Sequence, residues 1–198
     1  MPPRTQAQRS DATTALLVNA ARELFGTRGF AATALEEIAA ATGTTKGAIY
    51  HHFSGKNSIF RAALTAEAAA IATTLEQVAA TAPSAWEALR LGCRTFLEHC
   101  LDPGFRRIVI LDGPAVLGWD SVREIEHGTM LRVLVAGFEV AAAEGVLTPG
   151  DPTVRAQLMF GALCEGGMLL ARSQDPAGDL ELIATEVDAL LSAFRGPR

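Results

Sequence analysis

Apolar residues recur at intervals of three and four along most of the chain, which is the spacing of amphipathic helices. In residues 11–25, leucines and alanines share one face while Arg22 and Glu23 lie opposite. Residues 105–111 form a short apolar run that fits a strand or a helix by periodicity alone. Because no second strand candidate could pair with it, this run is predicted to be a helix that ends at Asp112-Gly113-Pro114. The pattern predicts an all-α fold of about nine helices, over residues 11–25, 33–42, 45–52, 56–80, 84–101, 105–111, 120–143, 152–173 and 179–194.

Capping residues and glycines predict the ends of the first two helices. Ser10 or Asp11 is expected to cap the first helix, and the glycines of residues 26–29 are expected to end it. Thr33 is followed three residues later by Glu36, which is the pattern of a capping box at the start of the second helix.

Residues 33–53 form the most informative segment, with two short helices joined by a turn at Gly43. Gly43 accepts the backbone conformation of a tight turn, and the small Ala39 allows the two helices to approach closely. This pattern fits a DNA-binding helix-turn-helix, whose second helix enters the major groove, and equally an αα-hairpin within a helical bundle. The outward residues of the second helix are small or form hydrogen bonds: Thr44, Thr45, Lys46, Gly47, Tyr50 and His51.

Composition and charge narrow the class of protein. The 198 residues are 49% hydrophobic and 20% charged with a net charge of −5, which excludes a disordered chain. No apolar run reaches about 18 residues and no secretory leader is recognisable, so we expect a cytoplasmic protein without a membrane span. Residues 1–61 carry seven Lys or Arg and four acids, a balance of +3, whereas residues 62–198 carry ten and eighteen, a balance of −8. The basic part contains the two lysines of the chain, Lys46 and Lys56, and favours a polyanionic partner.

Motifs for catalysis or cofactor binding are weak, so neither an enzyme nor a bound cofactor or metal is expected. Glu124 and His127 have the Glu-x-x-His spacing of di-iron carboxylate bundles, but those bundles need two such motifs. Glycine-rich phosphate loops and nucleophile motifs are missing from the sequence. The three cysteines form no Cys-x-x-Cys pair and argue against a disulfide framework. A helical bundle that holds a metal or another cofactor and does not bind DNA stays as the alternative.

Residues 10–60 resemble the DNA-binding domain of the TetR (tetracycline repressor) family of transcriptional regulators. The resemblance rests on Ala20-Ala21-Arg22-Glu23-Leu24-Phe25, Gly29-Phe30, Thr33, Ile38-Ala39, Gly43, Lys46-Gly47-Ala48-Ile49-Tyr50-His51-His52-Phe53 and Lys56. It implies a three-helix DNA-binding domain over residues 1–55 and a larger helical domain for ligand binding and dimerisation over residues 56–198. It also implies a ligand-responsive regulator, more specifically a homodimeric repressor that a small apolar or amphipathic effector releases from a palindromic operator.

The same resemblance assigns roles to individual residues. Thr33, Tyr50, His51 and Lys56 are expected to contact phosphates. Thr44, Thr45, Lys46 and Gly47 are expected to meet base edges or the adjacent backbone. The recognition helix has no Arg, Asn or Gln for bidentate base readout, so specificity should depend on Lys46, threonine methyls and DNA shape.

The larger domain is expected to contain the effector pocket and the dimer interface. Candidate pocket residues are large, flexible, aromatic or polar within apolar stretches, although core packing explains any single one of the apolar ones better: Trp86, Cys93, Phe96, Phe105, Asp112, Trp119, His127, Met130, Leu134, Phe138, Phe160 and Glu165. The helices at 152–173 and 179–194 are apolar on more than one side, which fits a four-helix interface between two subunits. Gly166-Gly167 costs about 1 kcal/mol per glycine inside a helix, a cost that close helix approach would justify.

Overall fold

The computed structural model describes residues 6–196 and confirms the all-α prediction. Within that range the chain forms eleven α-helices and a π-helical segment, and its one extended pairing is an isolated antiparallel bridge between Leu147 and Arg195. None of these helices combines the length and the apolar character that a bilayer crossing requires. The helices are α1 (Gln6–Ala32), α2 (Leu35–Ala41), α3 (Lys46–His52), α4 (Lys56–Thr81), α5 (Ala85–His99), α6 (Pro103–Phe105), α7 (Gly113–Leu117), α8 (Trp119–Gly128), α9 (Met130–Ala143), α10 (Pro152–Arg172) and α11 (Pro176–Ser192).

The first helix is longer than the sequence predicts. Helix α1 already includes Ser10 and Asp11, so neither residue caps it, and helical structure continues through Gly26 to Ala32. The break predicted for residues 26–29 is instead a kink at Gly29, whose φ of 81° lies in the left-handed region. This kink redirects the end of α1 toward the start of α2.

The predicted stop at Asp112-Gly113-Pro114 is wrong, because helical structure runs from Pro103 to Leu117 without a gap. Residues Arg106–Asp112 of this run are π-helical. A proline removes one backbone donor and its ring collides with the carbonyl four residues earlier in an α-helix. Here a π-helical segment precedes Pro114 and an α-helix follows, so the run does not end at residues 112–114.

The predicted single helix over residues 120–143 is two helices, α8 and α9. They separate at Thr129, whose φ of −130° and ψ of −104° are not helical. Gly128 precedes the break and lowers the helical propensity of the junction. A lone glycine is often tolerated inside a helix, which is why the periodicity alone did not predict this break.

Aromatic side chains mark the centres of the two halves of the core. Phe25, Phe30 and Phe60 pack together near the helix-turn-helix, with 5.1 Å between the ring centroids of Phe60 and each of the other two. Phe96 packs against Phe105 and Phe160 in the larger half. Helix α4 connects them, and its first turns belong to the N-terminal core through Phe60. A domain boundary between residues 55 and 56 stays a prediction.

Candidate nucleic-acid interface and ligand cavity

Helices α2 and α3 form the helix-turn-helix. Ile38 of α2 and Ile49 of α3 are fully buried and pack the two helices onto the N-terminal core. The turn between them contains Gly43 with a φ of 64°, and the backbone N–H of Thr44 donates to the carbonyl of Ala39 over 2.9 Å. The turn therefore holds α3 with one face inward and the other face toward solvent.

The exposed face of α3 carries a cation beside an aromatic ring. Thr45 caps the helix, since its Oγ1 accepts a hydrogen bond from the N–H of Ala48. Lys46 Nζ lies 2.6 Å from Glu36 Oε1 of helix α2 and 5.9 Å from the centroid of the exposed Tyr50 ring. The hydrogen bond with Glu36 raises the pKa of Lys46 and lowers that of Glu36. Both groups are charged at neutral pH, and their ion pair places the ammonium group beside the start of α3.

A shallow groove of about 380 Å³ lies between the end of α1, the start of α2, and α3 and α4. Lys46, Tyr50 and Lys56 line this groove together with Glu36. Lys56 Nζ lies 4.3 Å from the centroid of the Phe30 ring and donates to the carbonyl of Ala31. Two ammonium groups and a phenol hydroxyl at one surface can bind phosphate oxygens.

Thr33 lines this groove, but its hydroxyl is not free for the phosphate contact that the sequence predicts. Its side chain is buried, and its hydroxyl donates to the carbonyls of Gly29 and Leu24. The N-cap of helix α2 lies one residue later than predicted, at Ala34, and Glu37 Oε2 accepts from the Ala34 N–H. The Thr33 hydroxyl therefore stabilises the kinked end of α1.

The other predicted contacts on and beside α3 differ in exposure. Thr45, Gly47 and His51 are exposed, whereas Thr44 is half-buried and its Oγ1 lies 2.9 Å from Thr42 Oγ1. His52, which the sequence did not single out, lies 3.1 Å from Thr14 Oγ1 of α1 through its Nδ1. That contact fixes the end of α3 against the first helix.

The larger half contains a cavity of about 450 Å³ between the π-helical run, α8, α9 and α10. An apolar cavity of about 50 Å³ adjoins it, and Phe96 and Met130 line both spaces. Seven of the twelve candidate pocket residues line one cavity or both: Cys93, Phe96, Trp119, Met130, Leu134, Phe160 and Glu165. A molecule in the larger cavity would therefore touch apolar surface at its inner end.

The other five candidates line neither cavity, so their assignment to the pocket is corrected. Trp86 and Phe138 are core residues, covered by Arg195 and Phe194 respectively. Phe105 is fully buried, 4.6 Å from the His99 ring centroid. His127 is exposed on α8, and Asp112 binds the backbone of α1.

Sequence reasoning missed two charged residues of the larger cavity, Arg123 and Glu126 of α8. Glu126 is only 6% exposed, and its Oε2 accepts from Arg123 Nη1 at 3.4 Å. Burial raises the pKa of the Glu126 carboxyl, and burial together with Glu126 raises the pKa of the Cys164 thiol to about 12. The helical spacing of Val122, Ile125 and Glu126 could have placed this carboxylate inward.

The Glu-x-x-His motif does not form a metal site. Glu124 pairs with Arg61 of α4 over 2.5 Å, and His127 is exposed on the same helix. In the described part of the chain, no group of three or more His, Cys, Asp or Glu residues is arranged to hold a metal ion. The metal-bundle alternative therefore has no support from this geometry.

A hydrogen bond joins the π-helical segment to the end of α1, which leads into the helix-turn-helix. Asp112 Oδ2 accepts from the backbone N–H of Phe30 over 2.7 Å, directly after the kink at Gly29. Asp112 belongs to the π-helical segment that also supplies Val109 and Ile110 to the cavity. A Cβ atom at Gly29 would lie 2.9 Å from Arg107 Nη1, so the two parts are closely packed here.

Known proteins share both the sequence pattern and this architecture. Residues 17–63 match the model for bacterial regulatory proteins of the tetR family, and residues 86–194 match that for the tetracyclin repressor-like C-terminal domain. The probable HTH-type transcriptional regulator ArpR of Pseudomonas putida is 31% identical over 194 residues, 90% of each chain. The transposon Tn10 TetC protein of Escherichia coli is 29% identical over 109 residues, so that match spans 55% of each chain.

A solved structure extends the similarity to the whole fold. A TetR-family transcriptional regulator from Pectobacterium atrosepticum superposes with a TM-score of 0.85 at 32% identity, covering 98% of this chain and all of that one. The helix-turn-helix, the larger helical half and the order of the helices are thus those of known regulators. This chain belongs to the TetR family of bacterial regulatory proteins.

Proposed function

We propose that the protein is a ligand-responsive transcriptional regulator, a homodimeric repressor that a small apolar or amphipathic effector releases from a palindromic operator. The observation that carries the proposal is the hydrogen bond between Asp112 and Phe30. It joins the π-helical segment, which lines a cavity large enough for a small molecule, to the end of α1, and α1 leads into a helix-turn-helix whose second helix is exposed. Family membership supports the same function, whereas residues 6–196 contain no cluster of metal ligands that would support a metal-holding bundle.

Residues on and beside α3 are proposed to contact the operator. Lys46, Tyr50 and Lys56 would bind phosphates across the groove that they line, and His51 would contact the neighbouring backbone. Thr44, Thr45 and Gly47 would lie against base edges at the start of the helix. Phosphate contacts set position and salt dependence, whereas base contacts set the choice of sequence.

Selection of duplex DNA from a random pool by the purified protein, at two salt concentrations, tests this function. We expect enrichment of a palindrome whose half-sites are about 34 Å apart, one helical turn, since a two-fold dimer places its two recognition helices at that spacing. Affinity should fall steeply with salt, because phosphate contacts release counterions. A folded dimer that enriches no sequence would contradict the proposal.

Helices α10 and α11 are proposed to form the dimer interface. Their outer faces carry five large apolar residues that are at least half exposed: Val154, Leu158, Leu169, Leu182 and Leu190. Two such helices from each subunit would form a four-helix interface and cover these residues. Gly166 and Gly167 have another role, because they pack within the subunit against Leu97 and Cys100.

The effector is proposed to act through the π-helical segment. Val109, Ile110 and Pro114 line the larger cavity, while Asp112 between them holds the N–H of Phe30. A molecule that binds better when this segment is displaced would shift the population toward a form with misplaced recognition helices. Helix α4 would carry the same displacement, because Phe60 packs on Phe30.

Asp112→Asn tests this connection. The substitution removes the carboxylate charge from the bond to Phe30, and hydrogen bonds to charged groups contribute about 1.5–3 kcal/mol. We expect faster hydrogen exchange at the Phe30 amide and operator binding weakened by about tenfold, with the dimer intact. Asp120→Asn is the control, since Asp120 is exposed at the start of α8 and changes the charge equally. Unchanged exchange and unchanged operator affinity in Asp112→Asn would exclude the connection.

A further inference from the structure

Glu126 is an unusual residue for the wall of a cavity. Among the acidic residues that the structure describes, it alone is buried, and it lines the larger cavity between α8 and α10. An ionised carboxylate is rarely buried unless a cation or several hydrogen bonds compensate the lost hydration. The groups around Glu126 therefore show whether the chain itself supplies a cation or enough hydrogen bonds for this carboxylate.

The negative charge of the Glu126 carboxylate is only weakly compensated by other groups of the chain. Arg123 Nη1 is the one donor to this carboxylate among residues 6–196, and the distance of 3.4 Å is long for a charged pair. The Arg123 side chain is 50% exposed, so solvent competes for its charge. The nearby Cys164 thiol is protonated at neutral pH, because its pKa is raised to about 12. The carboxylate thus lacks a close buried cation.

The balance of charge around the cavity is negative. Its lining includes two acids, Glu126 and Glu165, and one cation, Arg123. An anionic molecule would meet both carboxylates, whereas a cationic one would be attracted by them. The small number of polar groups in an otherwise apolar lining is typical of sites that fix one polar end of a ligand.

The remaining surface of the cavity suits an apolar body with a positive end. Phe96 and Met130 close its inner side, and Trp119 stands at its rim with 67% of its surface exposed. Aromatic faces attract organic cations as well as apolar groups. An aromatic or aliphatic amine could place its nitrogen at Glu126 and its carbon skeleton against Phe96 and Met130.

We propose that the effector is an organic cation, an amine or a related nitrogen base on an apolar body, whose positive nitrogen pairs with Glu126 in the cavity between α8 and α10. This inference rests on the proposed ligand-responsive function and names the class of molecule that the cavity takes. The cation replaces the hydration that burial removes from Glu126. It leaves Arg123 in place as the second partner of the carboxylate.

Three probes with one aromatic body test the proposal: protonated 1-naphthylmethylamine, neutral 1-naphthylmethanol and anionic 1-naphthoate. Calorimetric titration of the wild-type dimer at neutral pH is expected to rank the amine first and the anion last. Amine and alcohol should differ by about tenfold in dissociation constant, the effect of one charge-assisted hydrogen bond. Tightest binding of the anion, or no saturable binding of the amine, would overturn the proposal.

Variants locate the effect at one side chain. Glu126→Gln keeps the shape of the residue and should reduce the preference for the amine over the alcohol to nearly one. Glu139→Gln makes the same change of charge on the exposed face of α9 and should keep the preference. A preference that persists in Glu126→Gln would refute the role of Glu126. The probe ranking in the wild type stands as a separate test if that variant fails to fold.

Operator binding is measured apart from probe binding, so the two proposals can fail independently. A dimer that binds the amine through Glu126 and selects no DNA sequence would refute the regulator and leave the cation site. A dimer that selects a palindrome and binds the three probes equally would refute the cation site and leave the regulator.

Discussion

Replacing both Leu158 and Leu182 by glutamate is expected to give a folded monomer that no longer binds a palindromic operator. These residues belong to α10 and α11 and are 65% and 64% exposed, so a charged side chain is tolerated at both positions in the isolated subunit. In the proposed dimer both are buried. Full burial of an exposed leucine stabilises the buried state by about 1.5–3 kcal/mol, and each substitution is present twice in a two-fold dimer.

About two thirds of each leucine is exposed in the isolated subunit, so the loss of four leucines removes about 4–8 kcal/mol from dimerisation, before the cost of burying charge is added. The dimer dissociation constant should rise by about three orders of magnitude or more, measured by sedimentation equilibrium. Operator affinity should fall by more than about a hundredfold, because a monomer contacts one half-site only. Helix content and urea unfolding are expected to show a folded chain.

Val140→Glu is the matched control for this experiment. Val140 is 52% exposed on α9, outside the proposed interface, so the variant should remain a dimer with unchanged operator affinity. If the Leu158 and Leu182 variant remains dimeric while Val140→Glu dissociates, the interface lies on another face and the assignment of α10 and α11 is refuted.

The helix-turn-helix could be predicted from the sequence because its pattern is local. Ile38, Gly43 and Ile49 determine two short helices and a turn through spacing and one permissive glycine. Thr33 shows the limit of such patterns. The sequence offers two overlapping capping pairs, Thr33 with Glu36 and Ala34 with Glu37. The second pair forms, because the Thr33 hydroxyl is hydrogen-bonded to the carbonyl of Gly29 at the kink.

The cavity could be predicted less well, because the same residue types fill a core and line a pocket. Phe138 and Phe160 are equivalent by sequence, yet Phe138 packs on Phe194 and Phe160 faces the smaller cavity. His127 is a predicted pocket residue because it is polar within an apolar stretch. The phase of α8 points its neighbour Glu126 inward instead, and that phase depends on where α8 begins after the π-helical run.

The π-helical segment could not be predicted at all. Its residues have an ordinary apolar spacing, and the Asp-Gly-Pro that follows normally ends a helix. Contacts with a distant part of the chain accompany this segment, since Asp112 at its end accepts a hydrogen bond from the N–H of Phe30. The feature that connects the two halves of the molecule is therefore a product of contacts between distant parts of the chain.

Lys46→Ala and Tyr50→Ala are expected to weaken operator binding by about tenfold to a hundredfold each, with the dimer intact. A hydrogen bond to a charged phosphate contributes about 1.5–3 kcal/mol, and both side chains line the groove beside α3. Salt dependence separates the two roles. Loss of Lys46 should reduce the slope of log affinity against log salt by about 0.9, the value for one phosphate contact, whereas loss of neutral Tyr50 should leave the slope unchanged.

Glu36→Gln provides the opposing variant. Lys46 Nζ lies 2.6 Å from Glu36 Oε1 in the free protein, so this carboxylate competes with phosphate for the ammonium group and repels the DNA backbone. Its removal should tighten operator binding by a few fold and make that binding more dependent on salt. Filter binding or fluorescence anisotropy with the selected duplex measures all three variants. Unchanged affinity in both Lys46→Ala and Tyr50→Ala would refute the assignment of this surface to DNA. Weaker binding by Lys46→Ala together with tighter binding by Glu36→Gln would indicate that Glu36 competes with the DNA phosphates for Lys46.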